Sequence, residues 1–586
     1  MSERLTGMAA FRRSSAGWFK ALRTLYRRLP RGLREVVWTT VDRLPLRVQR
    51  LFPHTGEHQR WQMQRLYERN DAPRPAAPTV LFWVPGGMQH LLHVETGIAA
   101  ALRLRGYNVH AILCDSPYRA CVRREVTDGI PYENWRELCE KCITSNRGVV
   151  ELMGIPYSSV GDFVSPDTRK ALWCLAEQCT ADNLPELTYR GVAIGQNVVS
   201  SLVRYRRGFH IEIDERIVCE YAYSALLSAE AARVAIERFK PERVFMSHGV
   251  YVDWGPALHT SLAHFIPVTT WKSSYLAARF LFHHVADGNV DFYQLSDRAW
   301  RKRAATPLTE QEEKSLDAFL YNRYHHPVGF DLRSLHRYAG KTEWLRSKYR
   351  LERGKPVWGI MSHISWDSVA DYSPMAYPSF DEWIIDTIEQ VSVIPEVQWL
   401  IKVHPAETGY DREVGVQRLI ETRFPKLPPN VRLIRADEEV NTLEFFDLLD
   451  GGVTVYGTAG LELALSGKPV ILAGEAHYSG KGFTQDGFTI DRYREILRRA
   501  GCIGRPTVEQ TALARQYAYS MFMQRQVPLP VVRDPHSLWW SLQHEKRGHL
   551  LPGADPFLDF ICEHLINGEE FIMGRDLVEL ADSNAW

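Results

Sequence analysis

The sequence predicts an α/β protein of two Rossmann-like halves facing a cleft, preceded by a basic helical extension. Three observations predict it. Short apolar β-rich runs alternate with helical patterns twice over, from Thr79 to Trp271 and from Val357 to Ala473. Polar or glycine-rich turns follow these runs, where open α/β sheets hold ligands. A charged helical stretch separates the two series. The expected organisation is a basic amphipathic segment and linker over 1–78 and an N-terminal half over 79–295. A connector over 296–355, a C-terminal half over 356–530 and a tail over 531–586 complete it.

Residues 1–70 carry fifteen Lys/Arg against five Asp/Glu, a net +10 in a chain whose total is only +1. Trp18, Leu22, Leu25 and Leu29 recur at helical spacing, with Arg23, Arg27 and Arg28 between them. A helix of this kind lies on an anionic membrane surface or packs on the protein's own acidic body. The linker is DAPRPAAP, residues 71–78.

In the first series, Thr79–Val84 reads as a buried parallel strand, Pro85-Gly86-Gly87 as a turn, and His90–Leu104 as a helix. Asn108–Cys114 is the next strand. The stretch 115–240 is helical and Cys-bearing, and is expected to be an insertion or a helical layer. Arg243–Met246 and Ile266–Trp271 read as strands, with a helix over Pro256–His264 that places Pro256 at its first position. In the second series, Val357–Met361, Val397–Val403, Val431–Ile434, Val453–Tyr456 and Val470–Ala473 read as strands. Helices are expected over Phe380–Val391, Val414–Thr422, Leu443–Leu449, the run after Gly460, and 507–525.

Chain length exceeds one ordinary core, and 45% hydrophobic with 24% charged residues is the balance of a folded globular protein. Most of the seventeen Trp are expected to fill cores. No run approaches the ~18 apolar residues of a spanning helix. The N-terminus lacks an apolar core, so it is not expected to be a secretory signal. Nine Cys in so long a chain do not suggest a disulfide scaffold. The expected location is cytoplasmic, peripheral at the inner face of the membrane, with no nucleic-acid partner.

The chemistry is expected at strand ends. In the second half, Lys402-Val403-His404-Pro405 ends one strand, and Tyr456-Gly457-Thr458-Ala459-Gly460 opens a helix after another. A His held by a Pro turn can donate to phosphate, and free N–H groups at a helix start favour an anion. Glu462 is a candidate for a ribose hydroxyl, or a first-turn carboxylate suited to the helix dipole. Trp366 and Asp367 follow a third strand. In the first half, Gly86, Gly87 and His90 are expected to line the cleft, with His93 and Glu95 beyond them. Asp253 is the candidate general base, with a purely structural role at the next helix as its rival, and His248 is the substitute base. Cys114, Cys121, Cys139 and Cys142 are four thiols that could complete a structural zinc site, although buried free Cys is common.

The ordered set Lys402–Pro405, Tyr456–Gly460, Gly467-Lys468-Pro469-Val470 and Gly474…Tyr478…Gly482-Phe483-Thr484 resembles the bacterial capsular polysaccharide biosynthesis glycosyltransferases of the Kdo-transferase type. His248-Gly249…Trp254-Gly255 is a looser match. The resemblance implies a GT-B fold, with donor in the C-terminal and acceptor in the N-terminal half. It implies that His404, Pro405 and Thr458 hold the donor's nucleotide phosphate. It also implies a CMP-activated donor, a glycan or glycolipid acceptor, and inversion through a carboxylate base. No Asp-x-Asp stands at a donor-half strand end, so no catalytic metal is expected. Transfer from a CDP-polyol, sugar-nucleotide epimerisation, and a non-catalytic subunit of a polymer assembly complex are the alternatives.

Overall fold

A computed structural model describes residues 29–42, 56–70, 77–126, 134–207, 214–276, 278–285, 291, 293–325, 338–366, 374–409, 415–533 and 541–583. Trp18, Leu22, Leu25 and Asp367 lie outside them.

Two helices come first, α1 (Arg31–Asp42) and α2 (Gly56–Asn70). Trp38 stacks on His58 with ring centroids 5.5 Å apart. Met63 and Tyr67 of α2 enter the core of the first half, where the Tyr67 hydroxyl donates to the Met153 carbonyl at 2.8 Å. The second part of the basic segment is therefore packed onto the first half, not held apart by the linker. Its apolar residues find more surface there than a lone helix could bury.

The strands of the two large sheets are β1 (Thr79–Trp83), β2 (Asn108–Leu113), β3 (Tyr157–Ser159), β4 (Arg243–Ser247), β5 (Val268–Ser273) and β6 (Arg279–Val285). They continue with β7 (Val357–Met361), β8 (Gln398–Lys402), β9 (Val431–Ile434), β10 (Gly451–Thr454), β11 (Val470–Leu472), β12 (Gln485–Asp486) and β13 (Val527–Pro528). The first sheet runs β13-β6-β5-β4-β1-β2-β3 and the second β9-β8-β7-β10-β11-β12. β1 to β5 pair in parallel, and so does the whole second sheet. β6 and β13 are antiparallel additions. In each half the first strand sits centrally, two successors extend one way, and the next strand crosses to its other side. The order therefore reverses between β1 and β4, and again between β7 and β10. A crevice opens at the carboxyl ends at each reversal.

Both faces of the sheets are covered, which is why β7 is buried at every position and β1 at all but its first. Val80 and Phe82 enter one core, and Leu81 and Trp83 the other. The covering helices include α3 (Gln89–Leu104), α4 (Val122–Val126), α5 (Trp135–Leu152), α6 (Glu215–Phe239), α7 (Tyr251–Ala263), α8 (Glu310–His325) and α9 (Phe380–Ser392). They end with α10 (Thr458–Leu465), α11 (Val508–Tyr519), α12 (Pro556–Asn567) and α13 (Arg575–Ser583).

Three expectations change. Of the two readings of 115–240, the helical layer holds and the insertion does not: the stretch also supplies β3 to the sheet, and its 25-residue α6 is buried along most of its length in the same core as α7. The tail is not separate. β13, just before it, already joins the first sheet; within the tail, Asp559 of α12 pairs with Arg105, the residue after α3, and the Ala581 carbonyl of α13 accepts from Arg279 of β6 at 2.8 Å. These contacts join residues hundreds apart in sequence, which no local pattern predicts. Helix α7 begins at Tyr251, so Pro256 lies inside it. Ser201 Oγ accepts the Val252 N–H at 3.0 Å, anchoring the early start from another element.

Candidate functional site

The crevice of the second half is closed at its base by His363. Its Nε2 accepts the N–H groups of Val455 and Tyr456 at 3.1 and 3.3 Å and lies 3.0 Å from Thr454 Oγ1. A ring that accepts through Nε2 carries its proton on Nδ1. The imidazole stacks on Phe380 at 4.5 Å, and burial lowers its pKa to about 3. His363 thus ties the loop after β7 to the end of β10 as a neutral ring. The sequence offered only its place after a strand as a signal.

His404 follows β8. Its backbone N–H donates to Ser362 Oγ at 3.0 Å, and its Nδ1 accepts the Ala406 N–H at 3.2 Å. That fixes the tautomer with Nε2–H as the donor. Burial, and then the Lys402 charge, lower its pKa to about 4. His404 is therefore a neutral donor at physiological pH. Burial lowers Lys402 to about 8, and among the described residues it forms no ion pair. Trp366, five residues after β7, is partly buried.

Helix α10 begins at Thr458, and its N-cap, Gly457, provides no side-chain cap. The Tyr478 hydroxyl donates to the Gly457 carbonyl at 2.7 Å. A Cβ at Gly460 would lie 2.2 Å from that hydroxyl, so only glycine admits this approach. Glu462 is buried. Its two oxygens accept from Arg323 Nε at 2.6 Å and the Tyr324 hydroxyl at 2.7 Å, both on α8. The carboxylate anchors α10 to the connector and is not presented to the crevice. The partner residues lie some 140 positions away, so no local motif could reveal this.

The first half meets this crevice directly. Tyr275, two residues past β5, places its hydroxyl 2.8 Å from Thr458 Oγ1. Nearby, Lys272 Nζ donates to the Tyr293 hydroxyl at 2.7 Å.

The other crevice opens into a cavity lined by Pro85 and Gly87 after β1, Cys114 after β2, and Asp253 on α7. Gly86 has a φ of +98°, and a Cβ there would strike the Asn146 amide at 2.0 Å. Asp253 Oδ2 accepts the Val122 N–H at the start of α4 at 3.0 Å, while Oδ1 is buried with no hydrogen-bond partner among the described residues. It therefore steadies another helix, not its own. Burial raises its pKa to about 7. A carboxyl poised near neutrality at a cavity wall is suited to proton transfer.

His248 is differently placed. Its Nδ1 accepts the Val250 N–H at 3.3 Å, its ring meets Trp254 edge-on at 4.6 Å, and burial lowers its pKa to about 3. With its acceptor nitrogen engaged and basicity suppressed, it shapes the loop. His90 and His93 on α3 are drawn down to about 4 by burial. Glu95 is buried, accepts from Trp271 Nε1 at 3.2 Å, and is raised to about 8.

Cys114, Cys121, Cys139 and Cys142 all line the cavity beside Asp253. Their meeting at one cavity is what the zinc reading requires. Among the described residues, however, no group of three or more His, Cys, Asp or Glu is arranged to hold a metal ion. Burial pushes the Cys114, Cys121 and Cys142 thiols upward, favouring the protonated form that does not ligate.

Two doubly wound halves with facing crevices make this a GT-B-like protein. Residues 376–521, about a quarter of the chain, match the family model described as capsule polysaccharide biosynthesis protein. That segment holds His404, Thr458 and Tyr478, and the resemblance read from these motifs is met by it. No curated protein matches the chain. Among solved structures, Thermosulfurimonas dismutans KpsC, a beta Kdo 2,4 transferase, is 18% identical over 47% of this chain and 79% of its own, at a TM-score of 0.30. The UDP-GlcNAc 2-epimerase of Neisseria meningitidis is 12% identical over 76% and 98%, at 0.20. Anabaena HepE with UDP and glucose is 14% identical over 77% and 95%, at 0.25. Likenesses at this level add nothing to what the strand order already shows.

Proposed function

We propose that this chain is a glycosyltransferase of capsule-type polysaccharide synthesis, moving a sugar from a nucleotide-linked donor to a glycan or glycolipid acceptor. The observation that carries the proposal is the construction of the second crevice. Within the matched segment, a neutral His404 Nε2–H and the uncapped start of α10 stand at strand ends of one sheet. Together they suit the phosphate of a donor nucleotide, with Lys402 supplying positive charge.

The two crevices support the following reaction. The acceptor hydroxyl loses its proton to Asp253 and attacks the donor's anomeric carbon from the face opposite the nucleotide. The bond to the nucleotide oxygen breaks, and the anomeric configuration inverts. His404, Lys402 and the first N–H groups of α10 stabilise the negative charge left on the departing phosphate. We read the donor as CMP-linked, on the resemblance to Kdo-transferase sequences. Peripheral attachment to an anionic membrane through residues 1–70 belongs to the same proposal. It is supported by their net charge and by the exposed Leu33, Val36 and Val37 of α1. No helix among the described residues is long and apolar enough to cross a membrane.

A thermal-shift panel of CMP, CDP, UDP and GDP tests the reading. A nucleotide that binds only the folded chain raises its melting temperature, and CMP is expected to do so most. A flat response to all four, with polymer synthesis in cells unaffected by His404→Ala and Thr458→Ala, would refute it.

A further inference from the structure

Thr458 opens the helix assigned above to the donor phosphate, and its hydroxyl is already engaged by the opposite half. Tyr275 is 3% exposed, and its ring is gripped on three sides. It stacks on Tyr293 at 5.6 Å, meets Phe522 edge-on at 5.3 Å, and carries the Arg323 guanidinium 4.9 Å from its centroid. Packing of that quality needs only the ring, and a phenylalanine would satisfy it. The hydroxyl does something else: it crosses from the first half to Thr458 Oγ1 at 2.8 Å.

The connector and the second half itself also hold α10. Arg323, which lies over the Tyr275 ring, also pairs with Glu462 on α10 at 2.6 Å. Tyr478 fixes the Gly457 carbonyl. The Tyr275 hydroxyl therefore joins the first half directly to the one side chain at the helix start that can donate to a phosphate.

We propose that Tyr275 is a positioning residue lent to the donor site by the N-terminal half. Its hydroxyl orients the Thr458 hydroxyl, so that nucleotide binding and the seating of the two halves on each other are coupled. The inference rests on the donor-site reading and adds to it a residue from the other half. An open arrangement of the halves, with Tyr275 withdrawn, would present Thr458 with its hydroxyl unoriented and bind nucleotide more weakly.

The test is a double-mutant cycle on the full chain. Wild type, Tyr275→Phe, Thr458→Ala and the double variant are titrated calorimetrically with whichever of CMP, CDP, UDP and GDP binds tightest. Tyr275→Phe is expected to weaken binding about five-fold, the worth of one neutral hydrogen bond. In the Thr458→Ala background the same change is expected to have no effect. Thr458→Ser, which keeps the hydroxyl, should retain the dependence on Tyr275. Melting temperatures recorded alongside separate positioning from packing. If Tyr275→Phe lowers the melting temperature but leaves nucleotide affinity within about two-fold of wild type, the role is structural and the inference falls. Additive effects of the two substitutions also overturn it. A wild type that binds none of the four nucleotides removes the donor-site reading and this inference together. A wild type that binds, with Tyr275→Phe binding equally well, removes the inference alone.

Discussion

Asp253 accepts the Val122 N–H at 3.0 Å through Oδ2 and keeps Oδ1 buried without a partner among the described residues. One oxygen is fixed by the fold, and the other is left for a proton. Because burial raises the pKa to about 7, the carboxyl is largely protonated at pH 6 and largely ionised at pH 8. A general base must be ionised, so activity is expected to rise with pH through about 7. Asp253→Asn preserves the acceptor for Val122 and should lower turnover roughly 10²–10⁴-fold. The linkage sign is opposite for stability. A carboxyl raised in the folded state loses stability as pH climbs from its unfolded value of 3.8 to about 7. Asp253→Asn is therefore expected to melt higher than wild type at pH 8, with a smaller difference at pH 5. Scanning calorimetry at both values, with a pH–rate profile, checks both signs.

His404 and Lys402 predict different pH behaviour at one site. With its pKa near 4, His404 is a neutral donor throughout pH 5.5–7.5, so nucleotide affinity should be flat across that window. Lys402, near 8, loses its charge as pH rises through that value, and affinity should fall by pH 9. His404→Ala is expected to weaken nucleotide binding roughly 10- to 100-fold, the worth of a hydrogen bond to a charged group. Lys402→Met should abolish the alkaline fall. Calorimetric titrations at pH 5.5, 7 and 9 decide it. A step in affinity near pH 6.5 that His404→Ala removes would mean the imidazolium is the binding form.

The Glu462–Arg323 pair is buried on both sides, at 4% and 9% side-chain exposure. Removing one partner strands the other charge in the core. Arg323→Met alone is expected to cost about 3–5 kcal/mol. Arg323→Met combined with Glu462→Leu should recover much of that loss, because two apolar groups then replace two desolvated charges. Denaturant titration of the singles and the double measures it. Equal stability of all four chains would mean the pair does not hold α10 to the connector.

The cysteine cavity has a chemical test. Purified chain is expected to carry well under one zinc by elemental analysis, and a chelator should leave its melting temperature unchanged. Stoichiometric zinc, lost together with several degrees of stability on chelation, would make the four thiols a ligand set that rearranges on binding. In the absence of metal, Cys114 and Cys121 should react slowly with a thiol reagent at pH 7, since burial keeps both protonated.

The strands and most helices were legible because a buried parallel strand is a run of apolar residues and a turn is a cluster of Gly, Pro and small polar residues. Both are local facts. Val357–Met361 and Val431–Ile434 match their expected bounds residue for residue. The early start of α7 was not legible, because the residues that support it, Ser201 among them, come from other elements. Strand β6 was missed: its two histidines interrupt the apolar run, and its antiparallel pairing with β5 leaves no βαβ signature.

The sequence by itself determined which residues stand at strand ends, and so which could meet a ligand. It also determined the concentration of positive charge in residues 1–70 and the ordered motif set that matches the capsule family segment. Only the tertiary structure decided what each of those residues is free to do. Glu462 is occupied by Arg323 and Tyr324, His248 by Val250, and one oxygen of Asp253 by Val122. His363 and Tyr275 gain roles that no local pattern announced. The physical reason is common to all of them. A polar side chain's chemistry is set by its remaining lone pairs and its exposure to water, and partners distant in the chain fix both.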